Sequence, residues 1–122
     1  MREIKRVLVA DDSDTVTTVL VTALELEGYE VETAVNGLEA YEKGLTGDYD
    51  LVILDQLMPG LLGLEVIDRW REEGCQVSTI MLSGVDDDRT VVGSFESGAV
   101  DFIRKPFRIP ELLARVRQRV QG

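Results

Sequence analysis

Five short runs recur along the chain, four of them largely apolar and the second alternating polar and apolar residues as an edge strand does, and a longer amphipathic stretch follows each one. The runs cover residues 6–10, 30–34, 50–54, 77–82 and 100–103. Their length and the turn residues that bound them predict strands, and the stretches between them have the apolar spacing of helices. Such alternation is typical of a parallel sheet with helices on both faces. The predicted fold is therefore an α/β, (βα)5 doubly wound five-stranded parallel sheet with the flavodoxin-like order 2-1-3-4-5.

Apolar residues at helical spacing predict which face of each helix packs on the sheet. The first stripe comprises Val16, Val19, Leu20, Ala23 and Leu24, and the second comprises Leu38, Tyr41 and Leu45. The last helix carries Ile109, Leu112, Leu113, Val116 and Val120. Capping residues at 12–14 and 36–37 precede the first two helices, and Gly28 ends the first. We expect a third helix over about 61–71 and a fourth that begins with the acidic run 86–88.

Length and composition restrict the class of protein. A chain of 122 residues forms one domain, and its formal charge of −10 argues against direct nucleic acid binding by this domain. No apolar run could cross a bilayer and no secretory signal opens the chain, so we expect a cytoplasmic protein without membrane contact. The chain has no histidine, which excludes a His-based triad, histidine zinc ligands and a phosphohistidine. The single Cys75 cannot form an internal disulfide.

Acidic residues follow the first and third predicted strands. Asp11 and Asp12 come directly after the first strand, and Asp55 lies at the end of the third. The carboxyl ends of parallel strands form the edge where ligands bind, and the first and third strands flank the crevice. Three carboxylates at one edge repel each other, and a hard divalent cation relieves that repulsion. Mg²⁺ is the predicted ion, with Mn²⁺ as the alternative, because Mg²⁺ prefers oxygen ligands and uses few carboxylates.

Lys105 follows the fifth strand and Ser83 closes the fourth, so an ammonium and a hydroxyl would join the same edge. An anion held between a metal, an ammonium and a hydroxyl has the environment of a phosphoryl group in transfer. The chain lacks a Gly-rich phosphate cradle of the P-loop type, so nucleotide binding is not supported. We infer that a carboxylate is itself the phosphoryl acceptor. Asp55 is the candidate because it is single and central, whereas Asp11 and Asp12 form a pair suited to a metal.

These residues resemble the receiver domains of two-component response regulators, over essentially the whole chain. The resemblance rests on Asp11-Asp12, on residues 54–63 around Asp55, on Ser83-Gly84 and on residues 98–107 around Lys105. It implies that Asp55 accepts a phosphoryl group from a histidine kinase or a histidine phosphotransfer protein acting in trans. It also implies no turnover of an external substrate, so the chain is not expected to be an enzyme.

The resemblance further implies a role for each site residue. Asp12, Asp55 and the backbone carbonyl of Leu57 would bind Mg²⁺ directly, and Asp11 would act mostly through water. Lys105 would pair with the phosphoryl oxygens, and its peptide bond to Pro106 is expected to be cis.

A switch is implied as well. Ser83 would move toward the phosphoryl group and Phe102 would turn inward behind it, which would alter the face made by the fourth helix, fifth strand and fifth helix. That face would control an output domain or a partner protein, or form a phosphorylation-dependent dimer. Val100 stands where the DNA-binding subfamily often has a second acidic residue, which weakens the expectation of a salt-bridged dimer through the last helix.

Residues beside the site would tune its access. Gly84 leaves the mouth of the site open, so small phosphodonors are expected to enter. Leu57 and Val85 flank the site and are expected to influence the phosphoryl lifetime through water access.

Two alternatives remain at the level of sequence. A constitutive interaction module with a vestigial site would bind its partners whatever the state of Asp55, although the intact set of site residues argues against it. A hydrolase of the aspartyl-phosphate type typically has a second Asp two residues after the nucleophile, where this chain has Leu57. We expect residues 1–122 to be a single receiver domain, either stand-alone or the input domain of a longer regulator.

Overall fold

A computed structural model describes residues 4–84 and 88–121 and contains one parallel sheet with the strand order β2-β1-β3-β4-β5. The strands are β1 Arg6–Ala10, β2 Glu30–Ala34, β3 Leu51–Asp55, β4 Thr79–Ser83 and β5 Asp101–Arg104. The helices are α1 Asp14–Leu26, α2 Gly37–Thr46, α3 Gly63–Glu72, α4 Asp88–Ser97 and α5 Ile109–Gln121. The predicted doubly wound fold and its strand order are confirmed.

Three strands continue one residue beyond their apolar runs. β3 and β4 end at Asp55 and Ser83, as the sequence predicts, and β5 ends at Arg104, just before Lys105. The ladder continues past those runs: Asp55 pairs with Leu82, and Ser83 pairs with Arg104. Asp55 and Ser83, two polar residues of the predicted site, therefore lie within strands and are part of the backbone hydrogen-bond ladder to the neighbouring strand. The backbone positions of Asp55 and Ser83 are consequently fixed by the sheet itself.

The core forms two layers, one on each face of the sheet, because successive strand residues point to opposite faces. One layer joins the sheet to α1 and α5 through Leu20, Leu24, Leu112, Val116 and Val120. The other joins it to α2 and α3 through Ala40, Val66, Ile67 and Trp70. All five strands are thereby held between helices, which makes the carboxyl edge of the sheet a rigid support.

The buried face of α2 differs from the prediction. Leu38 is 50% exposed and Leu45 is exposed too, while Ala40 and Gly44 are buried. A Cβ atom at Gly44 would lie 2.2 Å from an indole carbon of Trp70, so the helix approaches α3 through its small residues. The prediction was wrong for Leu38 and Leu45 and right for Tyr41, which packs, half-buried, against the core layer on that side. The spacing of large apolar residues does not reveal that the neighbouring Trp70 requires small residues on the facing side of the helix.

The helix starts follow the capping residues. Ser13 Oγ accepts a hydrogen bond from the Val16 N–H at 3.3 Å, and Asn36 Oδ1 accepts one from the Glu39 N–H at 2.8 Å. Val19, predicted to face the sheet, is exposed. It lies at the margin of the stripe that Leu20 and Leu24 bury.

The predicted start of α4 is only partly covered by the described residues. The helix begins at Asp88, and residues 86 and 87 of the predicted acidic run lie outside the described residues.

Within residues 4–84 and 88–121, no helix combines the length and the apolar character that a bilayer span needs.

Candidate functional site

Three aspartates meet at the carboxyl edge of the sheet. Asp11 follows β1 and is 1% exposed, Asp55 ends β3 and is 5% exposed, and Asp12 is exposed. They come together because Ala10 pairs with Leu54, which places the next residues of β1 and β3 side by side. One carboxylate oxygen from each aspartate lies within 4.8 Å of the other two. The cluster that the sequence predicted therefore exists, and its oxygen donors fit a hard divalent cation such as Mg²⁺.

Lys105 brings a positive charge into this cluster. Its ammonium donates a hydrogen bond to Asp11 Oδ2 at 2.8 Å and lies 3.4 Å from Asp55 Oδ2. The backbone supports it on both sides: the Lys105 N–H donates to the Ser83 carbonyl at 2.9 Å, and the bond to Pro106 is cis, as expected. Burial lowers the pKa of Lys105, but its contacts with Asp11 and Asp55 outweigh burial and raise the pKa above its ordinary value. The side chain is thus a permanent cation at neutral pH.

The environment of Asp55 disfavours its negative charge. Burial, followed by the charge of Asp11, raises the pKa of Asp55 from 3.8 to about 6, although Lys105 opposes the rise. Three carboxylates share a single ammonium, so the site holds an excess of negative charge. A divalent cation at the cluster would remove that excess and favour the ionised form of Asp55.

Asp11 and Asp12 differ in how firmly they are held. Asp11 Oδ1 accepts a hydrogen bond from the Ser13 N–H at 2.9 Å, and its other oxygen accepts from Lys105. Both oxygens of Asp11 are therefore engaged by protein donors. Asp12 is exposed and offers a more open approach to a hydrated ion. This difference is compatible with a direct role for Asp12 and a water-mediated role for Asp11, which stay predictions.

The predicted switch residues lie on the neighbouring strands. Ser83 is buried at the end of β4, one residue beyond the Leu82 that pairs with Asp55. Phe102 pairs with Met81 on β5 and packs, half-buried, against the core layer on the α2 and α3 side. The structure places both residues as the sequence predicts, and their movement on phosphorylation stays a prediction.

Three residues, Gly84, Leu57 and Val85, are predicted to control access to the site. Among the described residues, the nearest neighbour of a Cβ atom at Gly84 would be the Lys105 Cβ, at 3.9 Å, so Gly84 lies close to the base of the Lys105 side chain. The Leu57 side chain is 56% exposed. Val85, predicted to flank the site with Leu57, lies outside the described residues.

The sequence analysis missed Gln56, which follows the predicted phosphoacceptor. It is only 6% exposed, and its side-chain Oε1 accepts a hydrogen bond from the Leu64 N–H at 2.8 Å, in the first turn of α3. A sequence signal for this contact does exist. The N-cap position of α3 is Leu62, which has no side-chain acceptor, so the helix needs one from elsewhere.

Comparison with protein families and curated proteins agrees with this geometry. A sequence model of the response regulator receiver domain matches residues 7–117. The chain is 41% identical over 111 residues to the transcriptional regulatory protein YkoG of Bacillus subtilis, covering 91% of this chain and 49% of that protein. It is 44% identical over 112 residues to a CpxR homolog of Haemophilus influenzae, covering 92% of this chain and 48% of that protein. The chain spans about half the length of these curated relatives.

Solved structures match over nearly the whole chain. The receiver domain of the Francisella response regulator 1452 is 32% identical with a TM-score of 0.91, covering 96% of this chain and 97% of that one. The Thermotoga maritima response regulator TrrA, solved in complex with Mg²⁺ and BeF, is 39% identical with a TM-score of 0.85, covering 95% of this chain and 99% of that one. With the fold, the edge cluster and the family match all in agreement, the chain belongs to the response regulator receiver domain family.

Proposed function

We propose that this receiver domain is a phosphorylation-activated signalling switch in which Asp55 accepts a phosphoryl group in a Mg²⁺-dependent reaction. The observation that carries the proposal is the convergence of three carboxylates and one ammonium at the carboxyl edge of the sheet. Asp55 is the acceptor because it is the central carboxylate, fixed within β3 and paired with β4. Asp11 is less suited to attack, since both of its oxygens are already engaged.

The transfer step follows from this arrangement. A carboxylate oxygen of Asp55 forms a bond to the phosphorus of the donor, and the bond to the leaving group breaks with its electron pair. Asp12, Asp55 and the Leu57 carbonyl would hold a Mg²⁺ ion, with Asp11 acting through water. The ion would neutralise negative charge on the oxygens of the transferred phosphoryl group. Lys105, 3.4 Å from Asp55, would pair with the phosphoryl oxygens.

The protonation state of Asp55 sets a lower limit on the working pH. Attack needs the ionised carboxylate, and the pKa of Asp55 is raised to about 6 by burial and by Asp11. Without metal, Asp55 is therefore expected to be mostly protonated below that pH, so Mg²⁺ has to displace a proton from this carboxyl group before phosphoryl uptake can begin. The ammonium of Lys105 keeps its charge throughout and is not limiting.

The partners follow from what the chain lacks and from its relatives. The chain has no histidine, so the proposed donor is a histidine kinase or a histidine phosphotransfer protein acting in trans. The curated relatives are transcriptional regulatory proteins about twice as long, which supports an output domain or a separate target beyond this domain. A single receiver domain over residues 1–122 and a cytoplasmic location stay predictions.

The proposed output surface is the face made by α4, β5 and α5. Val92 and Phe95 on α4 are about half exposed and would offer apolar contacts to a partner. On the β5 and α5 part of this face, Arg115 donates hydrogen bonds at 2.8 and 2.9 Å to the two carboxylate oxygens of Asp101. Movement of Ser83 and Phe102 would change this surface and its affinity for an output domain, a target or a second copy.

The test is intact-mass analysis after incubation with Mg²⁺ and acetyl phosphate, quenched in acid. We expect one added phosphoryl group on the wild type, and none on Asp55→Asn or in a metal-free control. An equal gain of mass on Asp55→Asn would contradict the proposal. Beryllofluoride titration followed by amide NMR tests the same site without a donor, and unchanged Ser83 and Phe102 signals would favour a vestigial site.

A further inference from the structure

Gln56 lies at a point where two parts of the site meet. It directly follows Asp55, is almost fully buried, and uses both its backbone and its side chain as acceptors. The Gly63 N–H donates to the Gln56 carbonyl at 2.9 Å, and the Leu64 N–H donates to Gln56 Oε1 at 2.8 Å. One residue therefore satisfies the first two free N–H groups of α3.

The start of α3 has no cap of its own. Leu62 at the N-cap position carries no acceptor, although its own N–H donates to Glu65 Oε1 at 2.9 Å. In an ordinary capping box the N-cap side chain supplies the missing acceptor locally. Here the acceptor comes from the other end of the loop, so the contact that caps the helix also closes residues 57–62 into a loop with fixed ends.

The fixed ends are close to the phosphoacceptor backbone. A Cβ atom at Gly63 would lie 2.6 Å from the Asp55 carbonyl oxygen and 3.0 Å from the Gln56 Cα. The first residue of α3 thus lies directly against the last residue of β3. The loop is anchored at its middle too, because the Gly37 N–H of α2 donates to the Pro59 carbonyl at 3.0 Å.

We propose that Gln56 is a positioning residue for the metal site: its side-chain amide clamps the start of α3 to β3 and thereby holds the Leu57 carbonyl in place. The inference rests on the proposed function, since Leu57 is the backbone ligand proposed there. Leu57 follows Gln56 in the chain and has an exposed side chain, so the packing of that side chain cannot fix its carbonyl. The clamp on the preceding residue does so instead. Contacts behind metal ligands commonly change metal affinity by about tenfold or more.

The alternative is that Gln56 only stabilises α3, and a double variant separates the two roles. Gln56→Met removes the acceptor at similar size. Leu62→Ser then supplies an ordinary N-cap which, with Glu65, completes a capping box without any tie to residue 56. The wild type, both single variants and the double variant are compared by metal-free melting temperature and by Mg²⁺ dissociation constant from amide NMR titration. Val120→Ala, in the last turn of α5, gives a loss of stability away from the site.

We expect Gln56→Met to lower the melting temperature and to weaken Mg²⁺ binding about tenfold. Leu62→Ser in that background restores the melting temperature but leaves Mg²⁺ binding weak, and Val120→Ala leaves it unchanged. If Gln56→Met alone does not fold, the double variant is compared with Leu62→Ser. If the Mg²⁺ affinity of Gln56→Met stays within twofold of the wild type, or if it recovers together with the melting temperature in the double variant, this inference is overturned and the proposed function is not. A wild type that binds no Mg²⁺ would overturn the proposed metal site and this inference with it.

Discussion

The ammonium of Lys105 lies 3.4 Å from a carboxylate oxygen of Asp55, and this pair joins the last strand of the sheet to the central one. The same ammonium lies 2.8 Å from Asp11, so one cation serves two carboxylates. Phosphorylation of Asp55 would give Lys105 new anionic oxygens to contact. Lys105 directly follows β5, a strand of the proposed output face, so a change of charge on Asp55 acts on a residue next to that face.

Replacement of Lys105 by Met is expected to slow phosphoryl uptake from acetyl phosphate by roughly tenfold or more, because the transferred oxygens lose their ammonium partner. Mg²⁺ binding persists, since the three carboxylates remain. Time courses of intact mass measure the rate. Lys43→Met is the matched control, because the Lys43 ammonium is bound to the Thr33 carbonyl away from the cluster. Equal rates for the two variants would contradict the proposed role of Lys105.

The raised pKa of Asp55 predicts a stability that falls with rising pH in the absence of metal. Below pH 3.8 the carboxyl is protonated in both states; between 3.8 and about 6 the native state keeps a proton that the unfolded state has lost. The native state therefore binds more protons in that window, and its stability decreases until the pH passes the folded pKa.

Replacement of Asp55 by Asn removes the loss of folding stability that the ionisation of Asp55 causes. We expect urea unfolding at pH 7.5 without metal to show the variant more stable than the wild type by about 2 kcal/mol, with the difference much smaller at pH 4. Saturating Mg²⁺ stabilises the wild type and narrows the gap at pH 7.5. The same difference at both pH values would show that the ionisation of Asp55 does not oppose folding.

A Val at Gly84 is expected to slow phosphoryl uptake from acetyl phosphate several-fold, because a branched side chain would narrow the mouth beside Lys105. The fold should tolerate the change, since among residues 4–84 and 88–121 the nearest atom to a Cβ there is the Lys105 Cβ at 3.9 Å. Gly84→Ala should have a much smaller effect. Uptake and loss of the phosphoryl mass measure both steps, and unchanged uptake in Gly84→Val would contradict an access role for this glycine.

Two helical glycines, Gly44 at the contact of α2 with α3 and Gly93 in α4, are expected to respond in opposite ways to replacement by alanine. Gly44→Ala would place a methyl group 2.2 Å from the Trp70 indole and is expected to destabilise the protein by about 1–3 kcal/mol. Gly93→Ala in α4 would meet, among the described residues, the Leu64 Cδ1 at an ordinary 3.5 Å and is expected to stabilise by roughly 0.5–1 kcal/mol. Urea unfolding measures both. Equal effects of the two changes would mean that α2 has room to shift away from Trp70.

The edge cluster could be predicted from sequence because it depends on strand ends alone. Once five strands alternate with helices, the order of the sheet puts the residues after β1, β3 and β5 at one edge. Asp11, Asp55 and Lys105 therefore meet whatever the details of helix packing. Their proximity is confirmed, while their roles in phosphoryl transfer stay proposals.

Features that depend on contacts between distant segments could not be predicted in the same way. The buried face of α2 is set by Trp70 of α3, whose indole N–H also donates to the Tyr41 carbonyl at 3.0 Å. The role of Gln56 depends on the path of the loop that returns Leu64 to it. Apolar spacing reports a helix and its most hydrophobic stripe, but it contains no information about which neighbour that helix meets or how closely.

The most direct test of the central claim is reductive trapping of the phosphorylated protein. Borohydride reduces an aspartyl phosphate to homoserine with release of phosphate. Peptide mass mapping then identifies the residue that carried the phosphoryl group. After incubation with Mg²⁺ and acetyl phosphate, we expect homoserine at position 55 and at no other aspartate, with none in Asp55→Asn or in a metal-free control. Homoserine at Asp11 or Asp12 in place of Asp55 would contradict the assignment of the phosphoacceptor.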